Sequence, residues 1–316
     1  MSSADTSKNH HWWPVGLQSY WTDKAGDVSW IEPSGTVDRK RAANRKIGYK
    51  IHGHTLFKVG EWEHKFEDEF DVDNEVHNTI LAFRKLKPLG YSPSDWLKIA
   101  QLLFKKDRSL KDYCKFFQID ERNHRTLLLL IYSILIRSPA SRSRYENYPG
   151  MMGLPPSEEV GKINMSQRYR IAKKLCLNGI ISNQCFIILR SPLKKFIFGD
   201  GSLDWITNGL VTNKTSGRAL ISLTPDLCIY FCTPMTMRSS PNCASMIAPP
   251  WMVDWINQIT QVYSRDKLFF LGRPPTLTDA FKKAQFLEHK KKSDDLIEML
   301  DKIAGIEKRQ RFFGLA

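Results

Sequence analysis

The chain has 316 residues, of which 42% are hydrophobic and 25% are charged, a composition that allows a globular protein to bury a core. Its formal net charge of +14 favours no particular fold, but it favours attraction to nucleic acid, anionic lipid or an acidic partner protein. The longest apolar block, residues 126–136, is too short to span a bilayer. The sequence therefore argues against a membrane protein, and we expect no membrane partner.

The six cysteines are scattered without a Cys-x-x-Cys spacing, and the chain does not start with a secretory signal. Both features are typical of a reduced protein, and we expect a cytoplasmic localisation. The sequence has no phosphate-binding glycine loop, nucleophile elbow, kinase signature or zinc spacing. The commonest nucleotide and cofactor enzymes are therefore not indicated.

The N-terminal part of the chain predicts mainly β-structure. GLQSYW and DVSWIE alternate with the strand period around a TDKAG turn, which predicts a strand pair or an irregular aromatic plug. A basic run over 38–46 and a strand-like segment over 48–59 follow. On that strand, His52 and His54 would face the same side, a geometry that can hold a metal, although the spacing fixes no third ligand.

From residue 73 the apolar residues recur with the spacing of a helix. Short runs typical of β-strands return after residue 179. The predicted helices cover 73–86, 92–106, a short stretch near 109–118, 121–137 and 157–177, with a loop over 140–156. The predicted strands cover 180–190, 194–200, 218–224 and 227–233. A loop over 234–248 and three C-terminal helices complete the chain.

This order of elements predicts an α+β fold. Its sheet is expected to be mostly antiparallel and built from N- and C-terminal segments, with a helical insertion between them and helices at the C-terminus. We expect a single α+β domain over 9–248 with the insertion over about 73–177, followed by a C-terminal helical extension over 249–316.

The stretch GDGSLDW places Asp200 between Gly199 and Gly201. Both glycines tolerate positive φ and aspartate is a favoured turn residue, so the stretch can be a simple turn. A calcium loop is excluded, because Trp205 and Val211 stand where an EF-hand needs glycine and glutamate. Asp200 can thus be a turn residue or a catalytic carboxylate, and no metal ligand is assigned.

Histidines and arginines supply the other candidates for chemistry. His10 and His11 precede Trp12 and cannot both face one way on a strand, so at most one is expected to serve a reaction, with a pKa shifted by the aromatic surroundings. Arg137 ends an apolar helix, where a cation also complements the helix dipole.

Basic side chains beside aromatic rings suit phosphate contacts and base stacking. The arginines beside Tyr145 and Tyr148 form such a group, and the basic run over 38–46 supplies a second set of cations. The predicted nucleic-acid-binding residues are Arg39, Lys40, Arg41, Arg45, Lys46, Arg142 and Arg144.

Four motifs in order resemble a prokaryotic family described as domain of unknown function 4238. They are His10-His11-Trp12-Trp13-Pro14 with Leu17, Tyr20-Trp21 and Gly26; Arg137-Ser138-Pro139; Gly199-Asp200-Gly201-Ser202; and Leu223-Thr224-Pro225. The resemblance covers about residues 9 to 235. The family's serine and proline that flank the aspartate are replaced here by Gly199 and Ser202, whereas the aspartate itself is present.

The family name implies no established activity, but the resemblance implies that His10 or His11, Arg137 and Asp200 belong to one site. Together with the positive charge, this trio predicts a nuclease-like toxin or defence effector that acts on nucleic acid or nucleotides. His11 would be the general acid or base, Asp200 would orient it or hold a metal, and Arg137 would stabilise phosphate charge.

Two further points stay open at the level of the sequence. A divalent metal is compatible with the site as a cofactor, although no ligand set indicates one. The alternative function is a non-catalytic module that binds nucleic acid or a nucleoprotein complex, and an antitoxin partner is compatible with both functions.

Overall fold

The computed structural model describes residues 9–42, 47–58, 61–87, 97, 100–101, 109–178, 184–212, 217–233, 241–285 and 294–304. Apart from residues 97, 100 and 101, the predicted helix over 92–106 lies outside these ranges. The predicted binding residues Arg45 and Lys46 also lie outside them.

The helices of the described residues begin at polar caps or prolines. Asp120 accepts a hydrogen bond from the amide of Asn123, and Ser157 accepts one from the amide of Val160, as N-cap residues do. The α-helices are α1 (Val15–Gln18), α2 (Val76–Lys85), α3 (Glu121–Arg137), α4 (Pro139–Glu146), α5 (Glu158–Leu177), α6 (Pro250–Tyr263), α7 (Asp279–Lys282) and α8 (Asp295–Ile303). Short 3-10 helices cover Ser19–Trp21, Phe66–Glu69, Asp71–Glu75, Leu110–Tyr113, Tyr148–Met152 and Thr207–Thr212.

The strands form two larger sheets and two separate antiparallel pairs. The strands are β1 (Asn9–His11), β2 (Asp27–Ile31), β3 (Val37–Arg41), β4 (Tyr49–Ile51), β5 (Thr55–Lys58), β6 (Glu61–Lys65), β7 (Lys115–Phe117), β8 (Cys185–Arg190), β9 (Phe198–Gly199), β10 (Leu203–Asp204), β11 (Arg218–Thr224), β12 (Leu227–Cys232), β13 (Cys243–Ile247) and β14 (Leu268–Phe270). The sheet orders are β10-β11-β12-β8-β13-β7 and β3-β2-β14-β9, with the separate pairs β1-β4 and β5-β6.

The six-stranded sheet is buried on both faces. Phe186 and Ile188 pack in the apolar cluster that contains α3 and α5, whereas Ile187 and Leu189 pack in the cluster that contains α6 and α8. Because successive side chains of a strand point to opposite faces, both sets must be apolar, which explains the continuous apolar run of β8. Among the strand pairs of the described residues, only β13 with β8 is parallel.

The four-stranded sheet joins the two ends of the chain. Strand β14 lies between β2 and β9, with Phe269 opposite Trp30 and Phe198. One face packs in a small apolar cluster around Phe281. The predicted α+β fold, with mostly antiparallel sheets drawn from both ends of the chain, is confirmed.

Several elements differ from those that the sequence predicted. GLQSYW forms α1 and a 3-10 turn, because the apolar side chains Leu17 and Trp21 are buried at helical spacing against the core. Part of the predicted loop over 140–156 is α4, capped by Ser138. The segments expected as helical insertion and as helical extension supply strands β7 and β14 respectively, and β13 lies in the predicted loop over 234–248. Of the helices described, none is long and apolar enough to cross a membrane.

Candidate functional site

The GDG stretch lies against the end of α6. A Cβ atom on Gly199 would overlap the Ser264 hydroxyl, and one on Gly201 would overlap the Tyr263 carbonyl oxygen. The stretch connects β9 to β10, but neither glycine has a positive φ, so the conformational reason given for them from the sequence does not apply. The two glycines are required by close backbone packing, and this packing places Asp200 between α4 and α6.

The carboxylate of Asp200 is buried and hydrogen-bonded. Its Oδ1 accepts from the amide of Arg265 at 2.7 Å and its Oδ2 from the amide of Asp266 at 2.8 Å. Burial raises its pKa to about 7, and the two amide hydrogen bonds act in the opposite direction because they stabilise the charged form. Asp200 therefore fixes the turn from α6 to β14, and it changes charge near neutral pH.

Asp200 lines a cavity of about 370 Å³. The face of the four-stranded sheet that packs in the main apolar cluster contributes Trp30, Phe269 and two lysines to its wall, and the N-terminal segment lies opposite. The lining residues are Trp12, Trp30, Lys40, Ile47, Gly48, Tyr49, Pro139, Asp200, Asp266, Lys267 and Phe269. The cavity thus combines aromatic and apolar walls with two ammonium groups and two carboxylates.

The lysines have different surroundings. The Lys267 ammonium lies 4.8 Å from the centre of the Trp30 ring, a cation–π contact inside the cavity. Lys40 is exposed on β3 and also lines the cavity, so it connects the cavity to the outer surface.

Arg137 is fully buried and has its own carboxylate partner. Its guanidinium donates two hydrogen bonds to Asp73, at 2.9 and 2.7 Å, and lies 4.3 Å above the Phe70 ring. It also donates to the backbone carbonyl of His11 at 3.1 Å. Arg137 therefore fixes strand β1 to the end of α3, which is a positioning role.

The two N-terminal histidines lie on opposite faces of β1. His10 is buried, accepts a hydrogen bond at Nδ1 from the amide of His54 at 2.7 Å, and stacks on the His54 ring. His11 is half-buried, with its ring centre 6.1 Å from that of Tyr49, a cavity-lining residue. Neither histidine lines the cavity itself, and His11 is the one whose ring lies beside a lining residue.

His52, Gly53 and His54 form a turn between β4 and β5, with a positive φ of 52° at His52. This corrects the expectation that the two imidazoles share one side of a strand. In the described parts of the chain, no group of three or more His, Cys, Asp or Glu side chains has the arrangement of a metal site.

The structure brings the three predicted segments together through their backbones. The amide of Ala140 donates to the carbonyl of Asp200 at 3.3 Å, and Pro139 lines the cavity. Arg137, three residues earlier, holds the carbonyl of His11. The segments that carry His11, Arg137 and Asp200 therefore lie close together. The side chain of each of these residues, however, makes its main contact with a different residue.

The predicted nucleic-acid-binding residues fall into two groups. Arg39, Lys40 and Arg41 lie on β3, of which every residue is exposed, and Arg41 is 3.7 Å from Asp27. On this edge strand, Lys40 is paired with Val28 and lies on the face that lines the cavity, whereas Arg39 and Arg41 lie on the opposite face.

Arg142 and Arg144 are only 7% and 8% exposed. Arg142 donates to the carbonyl of Gly53, and Arg144 donates to the hydroxyl of Thr207 and lies 4.8 Å from the centre of the Tyr145 ring. This corrects their predicted place on a binding surface. α4 is a helix packed in the fold rather than an exposed loop, so its arginines point into the protein.

Besides the apolar lining residues Ile47, Gly48 and Phe269, sequence reasoning missed the four cavity residues with polar or charged groups, which are Trp30, Tyr49, Asp266 and Lys267. Of these four, only Trp30 could have been found from the sequence, because it is an aromatic residue in a predicted strand that is followed by a basic run. The other three depend on the turn that Asp200 holds and on strand pairings between distant segments.

Comparison with known proteins adds no relative. No family model matches the chain, and neither a curated protein nor a solved structure resembles it significantly. The resemblance to domain of unknown function 4238 therefore stays a prediction.

Proposed function

We propose that the protein is a nuclease-like cytoplasmic effector that acts on nucleic acid or nucleotides, and that its cavity holds one nucleotide of the substrate. One observation carries this proposal: aromatic walls and the ammonium groups of Lys40 and Lys267 line a single cavity. Nucleotides combine a flat ring with a phosphate, and such a wall offers contacts for both. Lys40 extends the site to the basic strand β3, where the neighbouring phosphates would bind.

In this proposal His11 is the general acid or base. Its side chain is half-buried beside Tyr49 at the cavity, and its backbone is held by Arg137. The two lysines stabilise the negative charge that develops on the phosphate oxygens as the phosphodiester bond breaks. Arg137 acts through the position of His11 and is a positioning residue.

The test is cleavage of labelled single-stranded RNA and DNA, with and without Mg²⁺. We expect His11→Ala to lower the cleavage rate by about 100-fold or more, the usual contribution of a general acid or base. The substitution leaves the backbone carbonyl that binds Arg137. His77→Ala is the matched control, because His77 is exposed on α2. The proposal fails if neither substrate gives a product under either condition, or if His11→Ala cleaves like the unchanged protein.

A second candidate function is a binding module without catalysis. It is favoured by the exposed basic strand β3. It is also favoured by the two backbone amides that already donate hydrogen bonds to the Asp200 carboxylate. This function predicts affinity for nucleic acid or a nucleoprotein partner that falls steeply with salt concentration, because phosphate contacts release counterions. Salt-dependent binding without any cleavage would favour it over the nuclease.

A further inference from the structure

A groove lies beside the face of the four-stranded sheet that packs around Phe281. We propose that this groove binds a short extended segment of a partner protein that carries acidic side chains. Its volume is about 600 Å³, and among the described residues it shares no lining residue with the cavity. The inference therefore concerns a second surface and goes beyond the proposed function.

The groove begins where two paired strands end. Strands β9 and β14 pair through Phe198 and Phe269, and the ladder stops at this pair. The segments that continue from it, 193–197 and 270–278, form the two walls, and α6 forms the floor. The groove is thus built from two extended segments that lie on one helix.

Two amide side chains of α6 hold the walls in place. Asn257 accepts a hydrogen bond from the amide of Ile197 at 3.0 Å and donates one to the carbonyl of Lys195 at 3.1 Å. One helical turn later, Gln261 makes the same two kinds of contact with the backbone of the opposite wall, at 2.7 and 3.0 Å. Because both walls are fixed to the floor, a ligand does not have to order them when it binds.

The walls carry cations. Lys195 on one wall and Arg273 on the other are exposed, and neither side chain has an ion pair or hydrogen bond with the described residues. Among the described lining residues the one carboxylate is that of Asp254, which pairs with Lys194. The groove therefore leaves two positive groups, one on each wall, for the carboxylates of a ligand.

The other lining groups favour a peptide over a nucleic acid. Leu193 and Leu277 give aliphatic surface to the walls, and Gln258 on the floor is exposed, with an amide that can bond a peptide backbone. The aromatic lining residues Phe196 and Phe270 are only 0% and 4% exposed. The described walls therefore present no ring face on which a base could stack, in contrast to the cavity.

The dimensions of the groove fit a short segment. Between Asp254 and Gln261, both lining residues, α6 rises by about 10 Å. An extended peptide advances by about 3.3 Å per residue, so about three of its residues span the floor. Its successive side chains point to opposite sides, so aliphatic side chains that meet the floor should alternate with acidic ones that reach the cations.

The test uses a labelled octapeptide in which glutamate alternates with leucine, and a matched octapeptide with glutamine in place of glutamate. We expect fluorescence anisotropy to show about 5-fold tighter binding of the acidic peptide, because it forms two exposed ion pairs with the groove. The difference should shrink as the salt concentration rises. Equal affinities for the two peptides, or no measurable binding of the acidic one, would overturn the inference.

Substitutions on the walls locate the binding. The double variant Lys195→Met with Arg273→Met removes both charges but keeps aliphatic side chains, and the ratio of acidic to glutamine peptide affinity should fall to about 1. The matched control is Lys282→Met, at an exposed lysine of α7 that does not line the groove. A ratio that stays high in the double variant, or that falls equally in the control, would place the peptide elsewhere and refute the inference.

A substitution on the floor separates the groove from the general positive charge of the protein. Gln258→Trp adds a large ring at an exposed position of α6, and it should abolish binding of the acidic peptide without changing the affinity for single-stranded RNA or DNA. Unchanged peptide affinity in this variant would overturn the inference. Loss of nucleic-acid affinity instead would assign the groove to nucleic acid.

The inference and the proposed function can fail separately. If the protein cleaves RNA or DNA but does not distinguish the two peptides, the inference fails and the nuclease stands. If it binds the acidic peptide in the groove but cleaves nothing, the inference stands and the catalytic function fails.

Discussion

The two larger sheets of the protein use their faces differently. The six-stranded sheet has helices on both sides, and all residues of its central strand β12 are buried. The four-stranded sheet is covered on one face by the cluster around Phe281. Its other face packs in the main apolar cluster, where Trp30 and Phe269 also line a cavity. The first sheet provides stability, and the second provides a wall whose side chains can meet a ligand.

This difference indicates where function can arise in the fold. A face sealed by helices has no room for a substrate, so its side chains are selected for packing alone. The incompletely covered face carries lysines and borders an exposed basic strand. The following substitutions test this division, in order of decreasing expected effect.

The largest effect is expected in the sealed sheet. Phe186→Ala removes a fully buried ring that packs against His124 and Phe231, and it should lower the free energy of unfolding by about 3–5 kcal/mol. The measurement is urea unfolding. Leu193→Ala, at a side chain that is 76% exposed, should change the same quantity by less than about 0.5 kcal/mol. A loss below about 1 kcal/mol for Phe186→Ala would contradict the division.

The second largest loss of stability is expected for Arg137→Met. It leaves the Asp73 carboxylate without its guanidinium and frees the carbonyl of His11, so the free energy of unfolding should fall by about 3 kcal/mol. The control is Arg170→Met, because Arg170 is exposed and its pair with Glu69 should contribute less than about 1 kcal/mol. Equal losses for the two variants would show that the buried pair does not fix β1.

The histidine cluster beside β1 predicts a dependence on pH. Burial lowers the pKa of His54 well below 6.5, helped by the charges of Arg142 and Arg137 and by His10 and His11. The unfolded chain therefore takes up this proton first, so stability is complete above about pH 6.5 and is lost as the pH falls below it. Thermal unfolding from pH 8 to pH 5 measures the loss.

The matched variant for this effect is His54→Phe, which keeps an aromatic ring against Phe66 and Phe70 but cannot titrate. Its melting temperature should decline less over the same pH interval than that of the unchanged protein. A decline of the same size in both proteins would assign the acid sensitivity to other groups.

The smallest effect on stability is expected at the open sheet. Lys40→Ala removes an exposed side chain and should change the free energy of unfolding by less than about 0.5 kcal/mol. In contrast, the slope of log affinity for single-stranded nucleic acid against log salt concentration should fall by about 1, since one phosphate contact is lost. Lys24→Ala, at another exposed lysine, should leave the slope unchanged. An unchanged slope in Lys40→Ala would remove β3 from the binding surface.

Much of the fold could be predicted from local patterns. The apolar run that ends at Arg137 and the β-rich runs of β8, β11 and β12 have the lengths and periods of the observed elements. Strand β14 has only three residues and no local signal, because its identity depends on its pairing with β2. The helix α4 was missed because its polar residues and the flanking prolines are also typical of a loop.

The candidate site was predictable only in part. Asp200, His11 and Arg137 lie in segments that converge, but their side-chain partners could not be read from the sequence. Asp73 lies 64 residues before Arg137, and the amides that hold Asp200 belong to a turn 65 and 66 residues after it. Such long-range contacts depend on the packing of the whole chain.

The pairing of β2 with β14 has a consequence for synthesis of the protein. Trp30 is made early and Phe269 is made late, yet both must be present for the cavity to have its wall. A nascent chain that has not yet extended past residue 270 has the first strands of the sheet but no completed cavity. Any binding that depends on this cavity can therefore begin only after residue 270 has been synthesised and β14 has paired with β2.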